Sequence, residues 1–174
     1  MADSQSALLP AFVLQNLSDN IYNNRKTAAI EVEGIVKKLA SSGDQEKIIT
    51  ELINILNTQF TYSPQPNHRK GGLIALACVT TGLSNDATPY LEQIVPPVLS
   101  SFNDQDSRIR YYACESLYNI AKVVRGDIKI FMDEIIDAIS KVSADTDVNV
   151  QEAAHLVDRL VKDIVAESDQ ISVE

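Results

Sequence analysis

The sequence predicts an all-α solenoid of about four stacked helical hairpins. Three observations predict it. One helical pattern recurs four times at a nearly constant period, an amphipathic helix precedes each occurrence, and no segment sustains the period-two alternation of a half-buried strand. The β-leaning snippets are short: Tyr62, Val79-Thr80-Thr81 and Val148-Asn149-Val150. An all-α chain of roughly 70% helix follows.

The recurring pattern is a basic or polar residue, a small residue three positions later, and apolar residues four and seven positions beyond that. Its occurrences are Arg25, Ala28, Val32, Ile35; then Arg69, Gly72, Leu76, Val79; then Arg110, Ala113, Leu117, Ile120; then Gln151, Ala154, Asp158, Val161. Only Asp158 breaks the apolar rule. The small residues stand 44, 41 and 41 positions apart, a period in the range of HEAT and armadillo repeats. The spacing places each set on one helical face, where a small residue lets a neighbouring helix approach closely. The fold class is therefore a HEAT/armadillo-like α-solenoid with repeats at about 6–42, 43–85, 86–126 and 127–166. Residues 1–5 are expected to be a flexible N-terminus and 167–174 an acidic tail.

Each pattern is the second helix of a hairpin. The first helix of repeat one runs near Ser6 to Leu17, with Pro10 in its early part. The first helix of repeat two starts at a capping signal around Asp44 and carries Ile48, Ile49, Leu52, Ile53, Leu56 and Phe60. That of repeat three begins near Thr88 with Pro89 in its first turn, and Pro96-Pro97 predicts a kink within it. That of repeat four starts near Asp127 and carries Ile128, Phe131, Ile135, Ile136, Ile139 and Val142. Breaks such as Ser63-Pro64-Gln65-Pro66-Asn67 and Asp104-Gln105-Asp106 separate the helices. The last helix is expected to end near Val165, leaving Val157, Val161, Ile164 and Val165 partly exposed at the end of the stack.

Aspartate recurs six residues before the basic position, at Asp19, Asp104 and Asp145; repeat two has Ser63 there. Such an aspartate can accept N–H groups at the next helix start or pair with arginine along a ladder. Both are structural roles for Arg25, Arg69 and Arg110.

Composition excludes several functions. The 174 residues carry 24 acids against 15 Lys and Arg, a net charge of −9, so no nucleic-acid partner is expected. Cys78 and Cys114 fall in apolar helical runs and read as reduced, buried thiols. No signal peptide is visible, and the longest apolar run, Gly71 to Val79, is about half a membrane span, so no membrane insertion is expected. His68 and His155 are 87 positions apart and form no ligand pair. They read as a polar helix-start residue and an exposed or half-buried helix residue. Gly71-Gly72 lacks a phosphate-loop frame and reads as close helix packing at Gly72, with Gly71 tolerated at some cost in helix propensity. No nucleophile–base or metal constellation assembles, so neither catalysis nor a cofactor is expected.

The outward face of the second helices is more informative. Lys26, Ile30, Glu33, Lys37; Lys70, Ile74, Ala77, Thr81; Tyr111, Glu115, Tyr118, Lys122; and Glu152, Leu156, Arg159, Asp163 point away from the small-residue stripe. In stacked solenoids such positions line a concave surface. Apolar and aromatic groups rimmed by charge suit a partner groove, unless packing against neighbouring repeats buries Ile30, Ile74 and Leu156. The candidate protein-binding residues are Lys26, Arg69, Lys70, Tyr111, Tyr118 and Arg159. A general peptide or cargo adaptor of armadillo type is the alternative; it would want a Trp and Asn ladder, and the chain has no Trp.

Three segments carry a resemblance: Asn67-His68-Arg69-Lys70-Gly71-Gly72-Leu73-Ile74-Ala75-Leu76-Ala77, Phe102 through Glu115 with its Arg110-Tyr111-Tyr112-Ala113-Cys114-Glu115, and Leu156 to Val165. They resemble the amino-terminal region of the Vac-fourteen family, HEAT-repeat scaffolds of the assembly that makes phosphatidylinositol 3,5-bisphosphate. The resemblance implies a partner, the phosphatidylinositol 3-phosphate 5-kinase, which the scaffold binds and helps activate. It also implies a Sac-type phosphoinositide phosphatase, expected to bind through regions outside this chain. The implied location is cytoplasmic, peripheral on endosomal, lysosomal or vacuolar membranes. Family members are several times longer than this chain.

Overall fold

The structure, a computed structural model, describes residues 8–173 and is 85% helical, with no strand among the described residues. Helix content exceeds the expected 70% because 3-10 turns extend the helices into the connections. In hairpin one, α1 (Ala11–Asn16) packs on α2 (Tyr22–Ser41). Hairpin two pairs α3 (Glu46–Leu56) with α4 (Pro66–Leu83). In hairpin three, α5 (Leu91–Ser100) is flanked by 3-10 turns at Thr88–Tyr90 and Ser101–Asn103 and returns through α6 (Ser107–Val124). In hairpin four, a 3-10 stretch at Arg125–Phe131 leads into α7 (Met132–Val142) and then α8 (Val148–Val173).

Several boundaries differ from the sequence expectation, each for a local reason. The start near Ser6 lies outside the described residues; within them the first helix begins at Ala11, after Pro10 in extended backbone. Asp44 does not cap α3: it sits at φ 49° beside Gly43 at φ 70°, so the pair turns the chain and the helix starts at Glu46. Pro96 and Pro97 lie inside α5, where the sequence reading placed them. Instead of ending near Val165, α8 runs to Val173, through the expected tail.

The second helices α2, α4, α6 and α8 pack closely on one another in sequence order, while the first helices α3, α5 and α7 touch each other far less. The stack therefore curves toward the second-helix layer, which forms its concave side. One apolar core runs between the layers, with Leu17, Leu52, Leu76, Ile94, Phe102 and Ile120 essentially sealed from solvent. Val157, Val161 and Ile164 are buried too. They face the preceding hairpin, which corrects the expectation that they lie partly exposed at the end; Val165 alone of the four is half-buried. The exposed large apolar groups of the last hairpin are Ile130, Ile136, Val148 and Leu156 instead.

Both glycines of the pair in α4 are required by geometry. A Cβ on Gly72 would lie 2.5 Å from Thr61 Oγ1, and one on Gly71 would lie 1.7 Å from the Leu17 carbonyl oxygen. Gly71 is thus more than tolerated: its bare backbone lets α4 pass the end of α1. On the other side α3 widens into a π-turn at Asn57–Thr61, which brings Thr61 against Gly72.

An arginine ladder ties successive hairpins. Arg69 Nε and Nη2 donate to Asp104 at 2.8 and 3.2 Å, and Arg110 Nε and Nη2 donate to Asp145 at 2.7 and 3.1 Å. The same carboxylates accept the N–H of Asp106 and Asp147, so one aspartate does both structural jobs the sequence suggested. The remaining guanidinium nitrogen of each arginine donates back to two carbonyls of its own turn: Ser63 and Pro64 for Arg69, Asp104 and Gln105 for Arg110. Gln151 keeps this last contact, donating to the Asp145 carbonyl.

The ladder breaks at Ser63. Its hydroxyl still accepts a backbone N–H, that of Gln65, but it has no carboxylate to offer Arg25. Arg25 keeps its turn contacts to the Asp19 and Asn20 carbonyls and sends Nη2 2.9 Å to the Tyr112 hydroxyl, skipping a hairpin. Arg25 is 4% exposed and its Nε has no partner among the described residues.

Candidate functional site

The outward face of the second helices was the expected site, and the structure gathers part of it, from α2, α4 and α6, around one cavity. A cavity of about 310 Å³ is walled by Lys26 from α2, by Ile74, Cys78 and Thr81 from α4, and by Tyr112 and Lys122 from α6. Beside it, Tyr111, Tyr112 and Arg108 share a depression of about 470 Å³ with Asp147 and Asn149. Ile30 is 51% exposed and Leu156 54% exposed, with Ile74 half-buried. Stacking of the repeats therefore leaves the first two largely bare.

Aromatic rings and cations organise the wall. Tyr22 stacks on Tyr112 with centroids 6.3 Å apart, and Tyr111 meets Tyr112 edge-on at 6.1 Å. The Arg25 guanidinium carbon lies 5.9 and 5.8 Å from the Tyr22 and Tyr112 ring centres. Lys26 Nζ lies 5.9 Å from the Tyr22 centre, and Lys122 Nζ 5.6 Å from that of Tyr118. Glu115 raises the Tyr111 hydroxyl above its ordinary pKa, with burial adding to the effect. That phenol stays neutral across the physiological range and acts as a hydrogen-bonding group.

The sequence-predicted residues fall into two kinds. Lys26, Tyr111 and Arg159 are exposed, and Lys70 and Tyr118 are half-buried, all on second helices. Arg69 is committed to Asp104 and two turn carbonyls, so it fixes α4 against hairpin three. Sequence reasoning missed Tyr22, Tyr112 and Cys78 as parts of the wall. A usable signal existed for Tyr112: the missing aspartate at Ser63 leaves Arg25 in need of another partner.

Other features read differently in three dimensions. His68 stacks on Phe60 at 5.6 Å and has a buried Nδ1 without a partner, while His155 is exposed. Burial pushes the Cys78 thiol up to about 12, with Glu33 adding and Lys26 opposing, and burial likewise pushes Cys114 up to about 12. Neither is a thiolate nucleophile. Among the described residues no cluster of three His, Cys, Asp or Glu stands close enough to hold a metal, and no helix is long and apolar enough to cross a membrane.

A curved helical stack with an aromatic and cationic inner face defines a class of fold, the α-solenoid. Solved structures agree on the fold. A designed armadillo repeat protein in complex with a (KR)4 peptide superposes with a TM-score of 0.60 at 15% identity, covering 86% of this chain and 62% of that one. An engineered protein superposes at 0.57 and 22% identity, covering 88% and 66%. More than half of the chain, residues 67–163, matches the model of the Vacuolar 14 Fab1-binding region, and the chain belongs to the Vacuolar 14 family. It is 66% identical over its whole length to 23% of the protein VAC14 homolog of Arabidopsis thaliana. It is 46% identical to the vacuole morphology and inheritance protein 14 of Saccharomyces cerevisiae, over 92% of this chain and 19% of that protein. It is 44% identical to the VAC14 homolog of Schizosaccharomyces pombe, over 88% of this chain and 19% of that protein. The chain thus spans about a fifth of the length of these relatives.

Proposed function

We propose that the chain is a kinase-binding part of a non-catalytic scaffold. It binds the Fab1-type phosphatidylinositol 3-phosphate 5-kinase and helps activate it, in an assembly that includes a Sac-type phosphatase. It thereby supports phosphatidylinositol 3,5-bisphosphate synthesis at endosomal, lysosomal or vacuolar membranes. One observation carries this reading: the Fab1-binding region, residues 67–163, takes in α4, α6 and most of α8, the helices that form the concave wall. Lys70, Tyr111, Tyr118 and Arg159 lie within it, and Lys26 of α2 lines a cavity with Ile74, Tyr112 and Lys122 of that region. Exposed tyrosines and long cations give a partner large contact area and hydrogen-bonding tips. Arg69 serves by holding α4 in place.

The test is co-expression with the kinase. Replacing Lys70, Tyr111 and Tyr118 together by alanine is expected to abolish co-purification while the circular dichroism stays helical. Retained co-purification would remove this surface from the reading.

A further inference from the structure

The concave face carries a charge gradient along the stack. In hairpins one and two its cations are Lys26, Lys37 and Lys70, against the single acid Glu33. In hairpin three Arg108, beside Tyr111, and Lys122 stand against Glu115. In hairpin four Glu152 and Asp163 outnumber Arg159. The placement is supported by contact as well as spacing: Lys26 and Lys122 line the same cavity, and both Glu33 and Lys26 act on the Cys78 thiol at its wall. Ile30, about half exposed, and Ile74 run along the middle, and Leu156, also about half exposed, borders a depression that it shares with Ile136 and Ile139 of α7.

We propose that this gradient fixes the direction in which one segment of the kinase lies along the face: acidic side chains over hairpins one and two, basic ones over hairpin four, and an apolar edge on Ile30, Ile74 and Leu156. The inference rests on the kinase-binding reading and deepens it. Four second helices at about 10 Å spacing span about 30 Å. That distance takes about nine extended residues or about twenty helical ones. A polyanion such as nucleic acid, or an anionic bilayer, does not fit: Glu152 and Asp163 would repel its far end. A protein segment with opposite charges at its two ends fits throughout.

Two charge-reversed chains test this, each measured for affinity to the purified Fab1-type kinase at low and at physiological salt. Lys26→Glu with Lys70→Glu reverses the first end, and Glu152→Lys with Asp163→Lys reverses the second. Each is expected to weaken binding by about tenfold at low salt and by less at physiological salt. Lys47→Glu, an exposed change on α3 away from the face, is expected to bind as the unchanged chain does. A photo-crosslinking residue placed at position 26 should capture kinase peptides rich in Asp and Glu, and one at 163 peptides rich in Lys and Arg. The reverse crosslinks, or full affinity in both charge-reversed chains, would overturn the orientation while leaving kinase binding intact. Failure of the unchanged chain to bind the kinase would overturn the underlying reading as well.

Discussion

Arg110 and Asp145, 35 residues apart, meet in a two-pronged ion pair, with Nε 2.7 Å from Oδ2 and Nη2 3.1 Å from Oδ1. Both side chains are largely shielded, at 16% and 6% exposure, and the Arg69–Asp104 pair repeats the geometry one hairpin earlier. Shielding and the paired donors make this stronger than an ordinary surface ion pair. A double-mutant cycle with Arg110→Ala and Asp145→Ala, followed by urea unfolding, is expected to give a coupling of about 2 kcal/mol. A coupling near zero would mean the pair is incidental to stacking.

The same pair predicts an acid limit. The hydrogen bond from Arg110 holds the Asp145 carboxyl below its ordinary 3.8, against the opposing effect of burial. A carboxyl with a lowered folded pKa binds its proton more readily in the unfolded chain. Its stabilisation is therefore complete above the ordinary value and is lost as pH falls through the folded one. Urea midpoints measured downward from neutral pH should drop below about pH 4, and by less in the Asp145→Asn chain. Identical slopes in the two chains would refute the assignment.

Tyr112→Phe removes the acceptor for Arg25 Nη2 beside an Nε that already lacks one. The expected loss is about 1–3 kcal/mol. Ser63→Asp restores the ladder carboxylate and, in that background, the cost of Tyr112→Phe should fall by about half or more. Equal losses in the two backgrounds would show that Arg25 does not respond to position 63.

Glycine substitutions should separate by position. Gly71→Ala pushes a methyl into the Leu17 carbonyl and is expected to cost more than about 3 kcal/mol or to prevent folding. Gly34→Ala, on α2 with nothing within 4 Å of the new methyl, should stabilise by about 0.5–1 kcal/mol through helix propensity. Thermal unfolding followed by circular dichroism distinguishes the two outcomes.

Much of the fold was legible because a solenoid's contacts are local and periodic. The small-residue stripe of Ala28, Gly72, Ala113 and Ala154 is buried throughout, and at Gly72 it marks where the first helix of the hairpin, through Thr61, approaches the second. The recurrence of Asp104 and Asp145 before an arginine already suggested a ladder. The candidate face was partly legible for the same reason: Ile30, Tyr111 and Leu156 are exposed where the helical period places them. Arg69 was read both as a ladder residue and as a partner contact, and the structure turns its guanidinium to Asp104.

By itself the sequence determined the four hairpins, their register and the side of each second helix that faces outward, since these depend on residues three to seven positions apart. The tertiary structure alone decided three other things. It made Gly71 indispensable, because the obstacle is the Leu17 carbonyl of another hairpin. It buried Val157, Val161 and Ile164, because they turn toward the preceding repeat. It joined Arg25 to Tyr112 across 87 residues, because only the curvature of the stack brings hairpin three back to a buried cation that Ser63 leaves without a carboxylate.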